Sequence, residues 1–256
     1  MSECYASKVI GIALDEVGYL EKKSNKNLED KTANAGSKNY NKFAKLLDSY
    51  GYFYNGKKNG YAWCDCFTDA VFVMAYGVAD ALRLLCQPKK SYGAGVGYSR
   101  DYYKKKGQLY RKDPKPGDQI FFYNTARTKL AHTGLVVDVD KTYVHTVEGN
   151  TNNGVRAKKY KLTASKIFGY GRPAYDEEPT VEEEPAPAPT PAPAVTIKKG
   201  DTVKLKSGAK QYNGKGLASF VYKRKHKVKE VVAGRAVITY GGIVVAAVNC
   251  NDLEIF

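Results

Sequence analysis

The sequence predicts two folded parts: an α+β domain at residues 1–175, with N-terminal helices packed on an antiparallel sheet, and a small all-β domain at residues 196–256. In the first part, apolar residues recur at helical spacing, and short strand-like runs follow Gly107. Six of the ten prolines fall within residues 176–195, which cannot build a core. We therefore predict an acidic, Pro/Ala-rich linker there, between the two domains.

The first domain is predicted to open with two helices separated by a long polar loop. Residues 5–17 place their apolar side chains on one face, and Gly18 ends this amphipathic helix. Residues 22–38 are polar and turn-rich, which is typical of a mobile or functional loop. Residues 39–49 again have helical periodicity.

Ahead of a shorter helix predicted at residues 79–85, residues 61–77 are predicted to form a buried helix that has Cys64 in its first turn and stops at Gly77. Its apolar stripe is too wide for a surface helix. A cysteine in the first turn lies beside unpaired N–H groups and a partial positive charge, which stabilise a thiolate. Cys64 is therefore a candidate nucleophile, although buried structural cysteines are common. Cys66 lies on another side of the helix and is interpreted as structural, since Cys-x-Cys is a weak zinc pattern.

The strands after Gly107 bring a histidine and a carboxylate together. Residues 115–123, 133–139 and 142–148 read as a turn entering a strand and then two strands. A hairpin centred on residue 140 would place His132 directly opposite Glu148. Cys64, His132 and Glu148 would then supply a nucleophile, a base and an acid that orients the imidazole.

Charge predicts the class of partner. Residues 1–175 hold 29 Lys and Arg against 16 Asp and Glu, and residues 196–256 hold 12 against 4, whereas residues 176–195 hold six acids and no basic residue. Two basic domains favour a polyanionic partner, either nucleic acid or a teichoic-acid-rich bacterial wall, and a merely soluble basic surface is the remaining alternative. No recognition element for nucleic acid is found, so specific nucleic-acid binding is not expected.

The cysteines and the N-terminus predict where the chain is made. Five cysteines without a repeating spacing argue against a disulfide framework and favour a reducing compartment. The first residues lack the features of a signal peptide, and no apolar run is long enough to span a bilayer. We therefore expect synthesis in the cytoplasm, no membrane insertion, and a monomer.

Four segments carry a recognisable pattern: Tyr-Ala-Trp-Cys-Asp-Cys-Phe-Thr-Asp (61–69), Pro-Gly-Asp-Gln-Ile-Phe-Phe (116–122), His-Thr-Gly-Leu-Val (132–136) and Val-Glu-Gly-Asn-Thr (147–151). In sequence and in order they resemble the CHAP family of papain-like, cysteine- and histidine-dependent amidohydrolases and peptidases, particularly those of phage endolysins. Residues 196–256 resemble, less specifically, the bacterial SH3-like wall-binding modules that follow such catalytic domains.

The resemblance implies a papain-like fold and a peptidoglycan hydrolase that acts on the cell wall after release. It implies that Cys64 is the nucleophile, His132 the base, Glu148 the orienting acid, and Asn150 an additional polar active-site residue. The bond would be either the N-acetylmuramoyl-L-alanine amide or a peptide bond in the stem or cross-bridge. The partners would be the peptidoglycan of Gram-positive bacteria and, as a further candidate, wall teichoic acids.

No cofactor is implied, and we expect no metal, because the sequence lacks the alternating aspartates of a calcium loop. The alternative function is a catalytically inactive, basic binding protein for wall polymers or nucleic acid.

Overall fold

The computed structural model describes residues 3–177 and 197–256, except residues 213, 215 and 218. Most of the linker predicted at residues 176–195 lies outside the described residues. The chain divides into two compact units, Met1–Asp176 and Glu177–Phe256, which are treated separately below.

The first unit combines four helices with a six-stranded antiparallel sheet, in agreement with the predicted α+β class. The helices are α1 (Ala6–Asp15), α2 (Lys42–Ser49), α3 (Cys64–Leu84) and α4 (Val96–Lys105). The strands are β1 (Leu109–Tyr110), β2 (Gln119–Tyr123), β3 (Leu130–Val139), β4 (Tyr143–Glu148), β5 (Arg156–Lys161) and β6 (Ile167–Gly171). Their order across the sheet is β1-β6-β2-β3-β4-β5.

Helices α1 and α2 form where the periodicity predicts them. The buried face of α1 includes Val9, Ala13 and Leu14. The side chain of Asn41 caps α2 by accepting a hydrogen bond from the backbone N–H of Ala44 at 2.8 Å, which satisfies one of the free donors of the first turn. Both helices pack against α3.

Helix α3 is the buried element of this unit and begins at Cys64, within the first turn of the helix predicted from residue 61. Gly77 interrupts α3 at φ 73° and ψ 174°, a conformation that L residues avoid. Helical structure resumes after Gly77 and continues to Leu84. The predicted stop at Gly77 and the predicted second helix after it are therefore both confirmed.

The hairpin of β3 and β4 forms, but the predicted register is wrong. Leu135 pairs with Val147, so continuing the ladder puts Glu148 opposite Gly134 and not opposite His132. Val139 pairs with Val144 beside the turn, and a β-bulge between Val136 and Asp138 changes the register towards Leu135. At the Glu148 end the pairing is therefore shifted by two residues from the prediction, and side chains alternate faces with a period of two. His132 and Glu148 therefore still share one face of the sheet as diagonal neighbours.

Four elements were not predicted individually: α4, β1, β5 and β6. Two of the strands have weak apolar patterns. Strand β5 consists mostly of basic residues with exposed side chains, and β1 has only two residues. Their pairing with β4 and β6 comes from the tertiary structure and not from local propensity.

The second unit contains a five-stranded antiparallel sheet of order β10-β9-β8-β7-β11. Its strands are β7 (Thr202–Leu205), β8 (His226–Val232), β9 (Arg235–Tyr240), β10 (Ile243–Asn249) and β11 (Leu253–Ile255), with a short helix α5 (Ser219–Tyr222) between β7 and β8. Its buried core includes Val203, Ile238 and Val248. These elements agree with an all-β domain that carries one helical turn, and the SH3-like assignment stays a prediction.

Among the residues that the structure describes, no helix is both long enough and apolar enough to cross a bilayer.

Candidate active site

The first turn of α3 positions Cys64. Trp63 precedes the helix and provides no side-chain cap, so the first-turn N–H groups are not occupied by a capping side chain. Cys64 is 8% exposed and packs with Val96, Tyr103 and Phe121. The thiol therefore lies at a helix N-terminus with a small opening to solvent, a position in which a thiolate and an oxyanion are both stabilised.

Aromatic packing fixes the start of this helix. Trp63 is fully buried, stacks on Phe43 with ring centroids 5.7 Å apart, and donates a hydrogen bond from Nε1 to Glu21 Oε2 at 2.9 Å. Gly149, directly after β4, lies so close to Phe67 and Trp63 that a Cβ there would collide with both side chains. The end of β4 is thus pressed against the first turn of α3, which brings Glu148 near Cys64.

His132 lies near both the thiol and the carboxylate. Its Nε2 lies 2.9 Å from Glu148 Oε2. Burial by itself lowers the pKa of His132, but the nearby Cys64 and Glu148 side chains outweigh it and raise that pKa to about 9. The imidazole is therefore protonated at neutral pH.

Gly134 explains how Glu148 reaches His132. A Cβ on Gly134 would lie 2.5 Å from Glu148 Cγ. The glycine leaves an open position on this face of β3, and the Glu148 side chain lies across it towards His132. The diagonal pairing therefore depends on the absence of a side chain at residue 134.

A network of hydroxyl groups holds the Glu148 carboxylate, which is 1% exposed. Thr146 Oγ1 donates to Oε1 at 2.6 Å, and Thr151 Oγ1 and Tyr160 Oη donate to Oε2 at 3.3 and 3.2 Å. Burial raises the pKa of Glu148, but His132 and these donors outweigh that effect and the net pKa is lowered. Burial and the charge of Glu148 raise the pKa of Tyr160, so its hydroxyl keeps the proton that it donates.

Asn150 is not placed as expected from a continued strand. Strand β4 ends at Glu148, and Asn150 adopts a left-handed conformation at φ 54° in the bend that follows. Its half-buried side chain makes no hydrogen bond to any residue that the structure describes. The argument that Asn150 shares the face of Glu148 therefore does not hold, and its role stays a proposal.

A buried polar layer lies beside the thiol on α3. Asp65 accepts hydrogen bonds from Ser99 Oγ at 2.7 Å and Gln119 Nε2 at 2.9 Å, and Asp69 accepts one from Tyr54 Oη at 2.7 Å. Burial raises the pKa of Asp65 to about 7 in spite of its two donors, and burial together with the charge of Asp65 raises the pKa of Asp69.

The same layer surrounds Cys66. Burial raises the pKa of the Cys66 thiol well above its usual value, and the neighbouring carboxylates add to this. A fully buried thiol that keeps its proton is a poor nucleophile, which agrees with the structural interpretation of Cys66.

A known protein family matches the part of the chain that contains the four candidate residues. The CHAP domain family model matches residues 56–150, which include Cys64, His132, Glu148 and Asn150. Residues 56–150 form a CHAP domain. CHAP domains are generally cysteine-dependent amidohydrolases, and the domain implies a peptidoglycan amidase or peptidase in general.

No curated protein matches the chain. Among solved structures, the chain is similar to the one titled "The crystal structure of Ly7917", with 10% sequence identity and a TM-score of 0.35 over 95% of this chain and 90% of that chain. At that TM-score the likeness supports no conclusion about fold or function.

Sequence reasoning named the four candidate residues and missed the groups that hold them. Thr146 could have been found, because it lies two residues before Glu148 and so on the same face of β4. Tyr160 could not, since it belongs to the unpredicted strand β5. Gly134 carried no signal without the correct register.

Proposed function

We propose that the chain is an endolysin-type peptidoglycan hydrolase that cuts an amide bond of the bacterial wall by a Cys-His-Glu thiol mechanism. The observation that carries the proposal is the position of His132, which contacts Glu148 at 2.9 Å and lies near enough to Cys64 for the thiol to raise its pKa, inside the residues that match the CHAP domain.

Each group has a defined task in this mechanism. The Cys64 thiolate attacks the carbonyl carbon of the amide, and free N–H groups in the first turn of α3 stabilise the oxyanion. The His132 imidazolium then donates its proton to the leaving amine, and the thioester remains. His132, now neutral, removes a proton from water, and the hydroxide hydrolyses the thioester. Glu148 fixes the ring orientation and stabilises the cation in both steps.

Asn150 is proposed to contact the substrate and not the imidazole. Its side chain has no hydrogen bond to the described residues, although it lies two residues after Glu148. Because glycine also tolerates its left-handed backbone, Asn150→Gly removes the amide without imposing strain at that position. Reduced turnover in this variant, with unchanged stability, would support the role.

The second unit is proposed to be a wall-binding domain. It carries the basic run Lys-Arg-Lys-His-Lys-Val-Lys at residues 223–229. Lys225 Nζ lies 3.2 Å from the ring centroid of Phe256, and Arg224 stacks on Tyr240 at 5.2 Å. Cations beside aromatic rings suit a polymer that has both anionic groups and sugar faces. These contacts favour a Gram-positive wall carrying teichoic acids.

The test compares the wild type with Cys64→Ala on purified walls from several Gram-positive species. Turbidity should fall with the wild type only, while both proteins sediment with the walls. New amino groups together with free muramoyl carboxyl ends would then indicate an N-acetylmuramoyl-L-alanine amidase. New amino groups without free muramoyl carboxyl ends would indicate a stem or cross-bridge endopeptidase.

Two results would contradict the proposal. New amino-sugar reducing ends in place of cut amides would indicate a glycosidase. Equal behaviour of folded, reduced wild type and Cys64→Ala would indicate a catalytically inactive binding protein, which the excess of positive charge also fits.

A further inference from the structure

A strip of aromatic and cationic side chains leads away from Cys64 along one edge of the sheet. We define this cationic strip by Phe168, Tyr123, Arg100, Arg111 and Arg127. Phe168 packs against the cluster that contains Cys64, and Tyr123 contacts Phe168 edge to face with ring centroids 5.4 Å apart. The strip thus begins at the apolar cluster that contains the proposed nucleophile.

Three guanidinium groups cover these two rings. The Cζ atoms of Arg100 and Arg111 lie 5.4 and 4.0 Å from the centroid of Phe168, and Cζ of Arg127 lies 5.5 Å from that of Tyr123. Stacking on a ring holds a guanidinium by its face and leaves the N–H groups at its edge free to donate. The guanidinium groups are therefore oriented before any ligand arrives.

The strip has few acidic partners. Arg100 forms an ion pair with Asp101 at 2.6 Å. Among residues 3–177 and 197–256, leaving out 213, 215 and 218, no carboxylate forms an ion pair with Arg111 or Arg127. Two oriented cations without a counter-charge repel each other, so the arrangement suits an anion supplied from outside the chain.

The strip also borders a pocket at the protein surface. Arg127, Tyr123 and Lys166 line a surface pocket of 270 Å³ together with Asn124, Thr125 and Ser165. Lys166 Nζ lies 5.1 Å from the ring centroid of Phe122, and Phe122 stacks on His132 with centroids 5.9 Å apart. The pocket is therefore connected to His132 through Lys166 and the ring of Phe122.

We infer that the cationic strip is a subsite for a carboxylate on the substrate peptide, next to the amide that Cys64 attacks. This inference rests on the proposed function and adds a requirement for an acidic substrate. A carboxylate fits because it can accept two parallel N–H bonds from the edge of a guanidinium. A peptide carboxylate is favoured over a wall phosphate because the strip packs against the cluster that contains Cys64, and the scissile peptide must lie at Cys64.

The experiment uses the full chain and walls from which phosphate polymers have been stripped. Half of the walls are treated with a carbodiimide and ammonia, so that their carboxylates become neutral amides. Wild type is compared with Arg111→Gln/Arg127→Gln. We expect the variant to have a roughly tenfold higher apparent KM on acidic walls with little change in kcat, since charge-assisted hydrogen bonds are lost. On amidated walls the two proteins should be equal.

A matched control removes the same charge elsewhere. Lys141→Gln/Lys161→Gln changes two exposed lysines at the other end of the β3–β4–β5 region, and it should behave as the wild type on both walls. A second variant, Arg111→Lys/Arg127→Lys, keeps the charge and loses the planar, stacked donors. Its apparent KM should lie between those of the wild type and the Gln variant.

Three outcomes would overturn the subsite. They are an equal defect on acidic and amidated walls, an equal defect in the Lys141→Gln/Lys161→Gln control, and a defect that appears only when the phosphate polymers are left in place.

A binding assay separates this inference from the proposed function. In the Cys64→Ala background, Arg111→Gln/Arg127→Gln should weaken binding to soluble acidic stem peptides and not to their amidated forms. If the wild type cleaves neither wall, the proposed function fails, and this binding difference alone decides the subsite.

Discussion

At the scale of single residues, the chemistry depends on how His132 is held. The ring lies between Cys64 and Glu148, and its pKa is raised to about 9 from an ordinary value of 6.5. A raised pKa means that folding favours the protonated ring. The resulting stability is fully present below about pH 6.5 and is lost as the pH rises through about 9. The same protonated ring is the proposed acid for the leaving amine, so activity should have an alkaline limit in this range.

Replacing Glu148 by Gln should move that limit. Without the carboxylate charge the imidazolium loses one of the groups that raise its pKa, so the pKa of His132 falls and the alkaline limb of kcat/KM shifts downward by roughly one pH unit. Activity at the optimum should also fall about 100-fold. The measurement is a pH profile of both proteins, with Tyr160→Phe as a milder control that removes one hydrogen bond to the same carboxylate. An unchanged alkaline limb would mean that Glu148 does not set the charge of His132.

Gly134→Ala tests the diagonal contact. The new Cβ would lie 2.5 Å from Glu148 Cγ and 3.0 Å from the Val147 carbonyl oxygen, so the Glu148 side chain must move away from His132. We expect at least a tenfold loss of kcat. Gly97→Ala on α4 is the matched control, because a Cβ there meets no atom within 4 Å and a helical alanine stabilises by about 0.5–1 kcal/mol. Full activity of Gly134→Ala would show that Glu148 does not need this open position.

At the scale of elements, α3 combines a reactive end with a buried acidic side. Asp65 and Asp69 are both fully buried, and their pKa values are raised by burial. Raised carboxyl pKa values favour the protonated form in the folded state. Their stability contribution is therefore present below about pH 3.8 and is lost as the pH rises, for Asp65 through about 7. The helix that carries the proposed nucleophile should lose stability in the pH range where the proposed hydrolase is expected to work.

Asp65→Asn should reduce this loss. An amide cannot ionise, yet it can still accept from Gln119 Nε2 and donate to Ser99 Oγ, the two atoms that Asp65 contacts now. We expect Tm to fall less between pH 5 and pH 8 in the variant than in the wild type, and thermal unfolding at several pH values measures it. An identical fall in both proteins would mean that Asp65 does not titrate in this range.

At the scale of the whole molecule, net charge and the division into two units bear on how the protein would be held on a wall. The chain has a formal net charge of +15, and each of the two units has its own buried core. A basic protein is attracted to an anionic wall, and a second binding unit on the same chain raises the local concentration of the first. Both effects act on insoluble walls and not on small soluble fragments.

Residues 1–177 alone should therefore be selectively impaired. We expect this fragment to cleave soluble wall fragments as fast as the full chain, and intact walls about 100-fold more slowly. Raising the salt concentration from 0.05 to roughly 0.5 M should reduce the difference, because salt shortens the range of the attraction. Rates of turbidity loss and of fragment cleavage, with circular dichroism to show that the fragment is folded, provide the measurement. Equal rates on walls would show that residues 178–256 do not retain the enzyme there.

The sequence by itself determined the elements whose signals are local. Helical periodicity was enough to place Cys64 near the start of α3, and a glycine was enough to place the break at residue 77. Both signals depend only on residues that are neighbours in the sequence. The alternation of strand residues was enough to put His132 and Glu148 on one face, since a register error of two leaves the face unchanged.

Only the tertiary structure decided which residues meet across the chain. The opening at Gly134, the hydroxyl network of Thr146, Thr151 and Tyr160, and the cationic strip all join segments that are distant in sequence. Strand β5, which carries Tyr160, has little apolar pattern of its own and forms because β4 offers it a partner. Such contacts depend on pairing and packing between elements, and no local propensity encodes them.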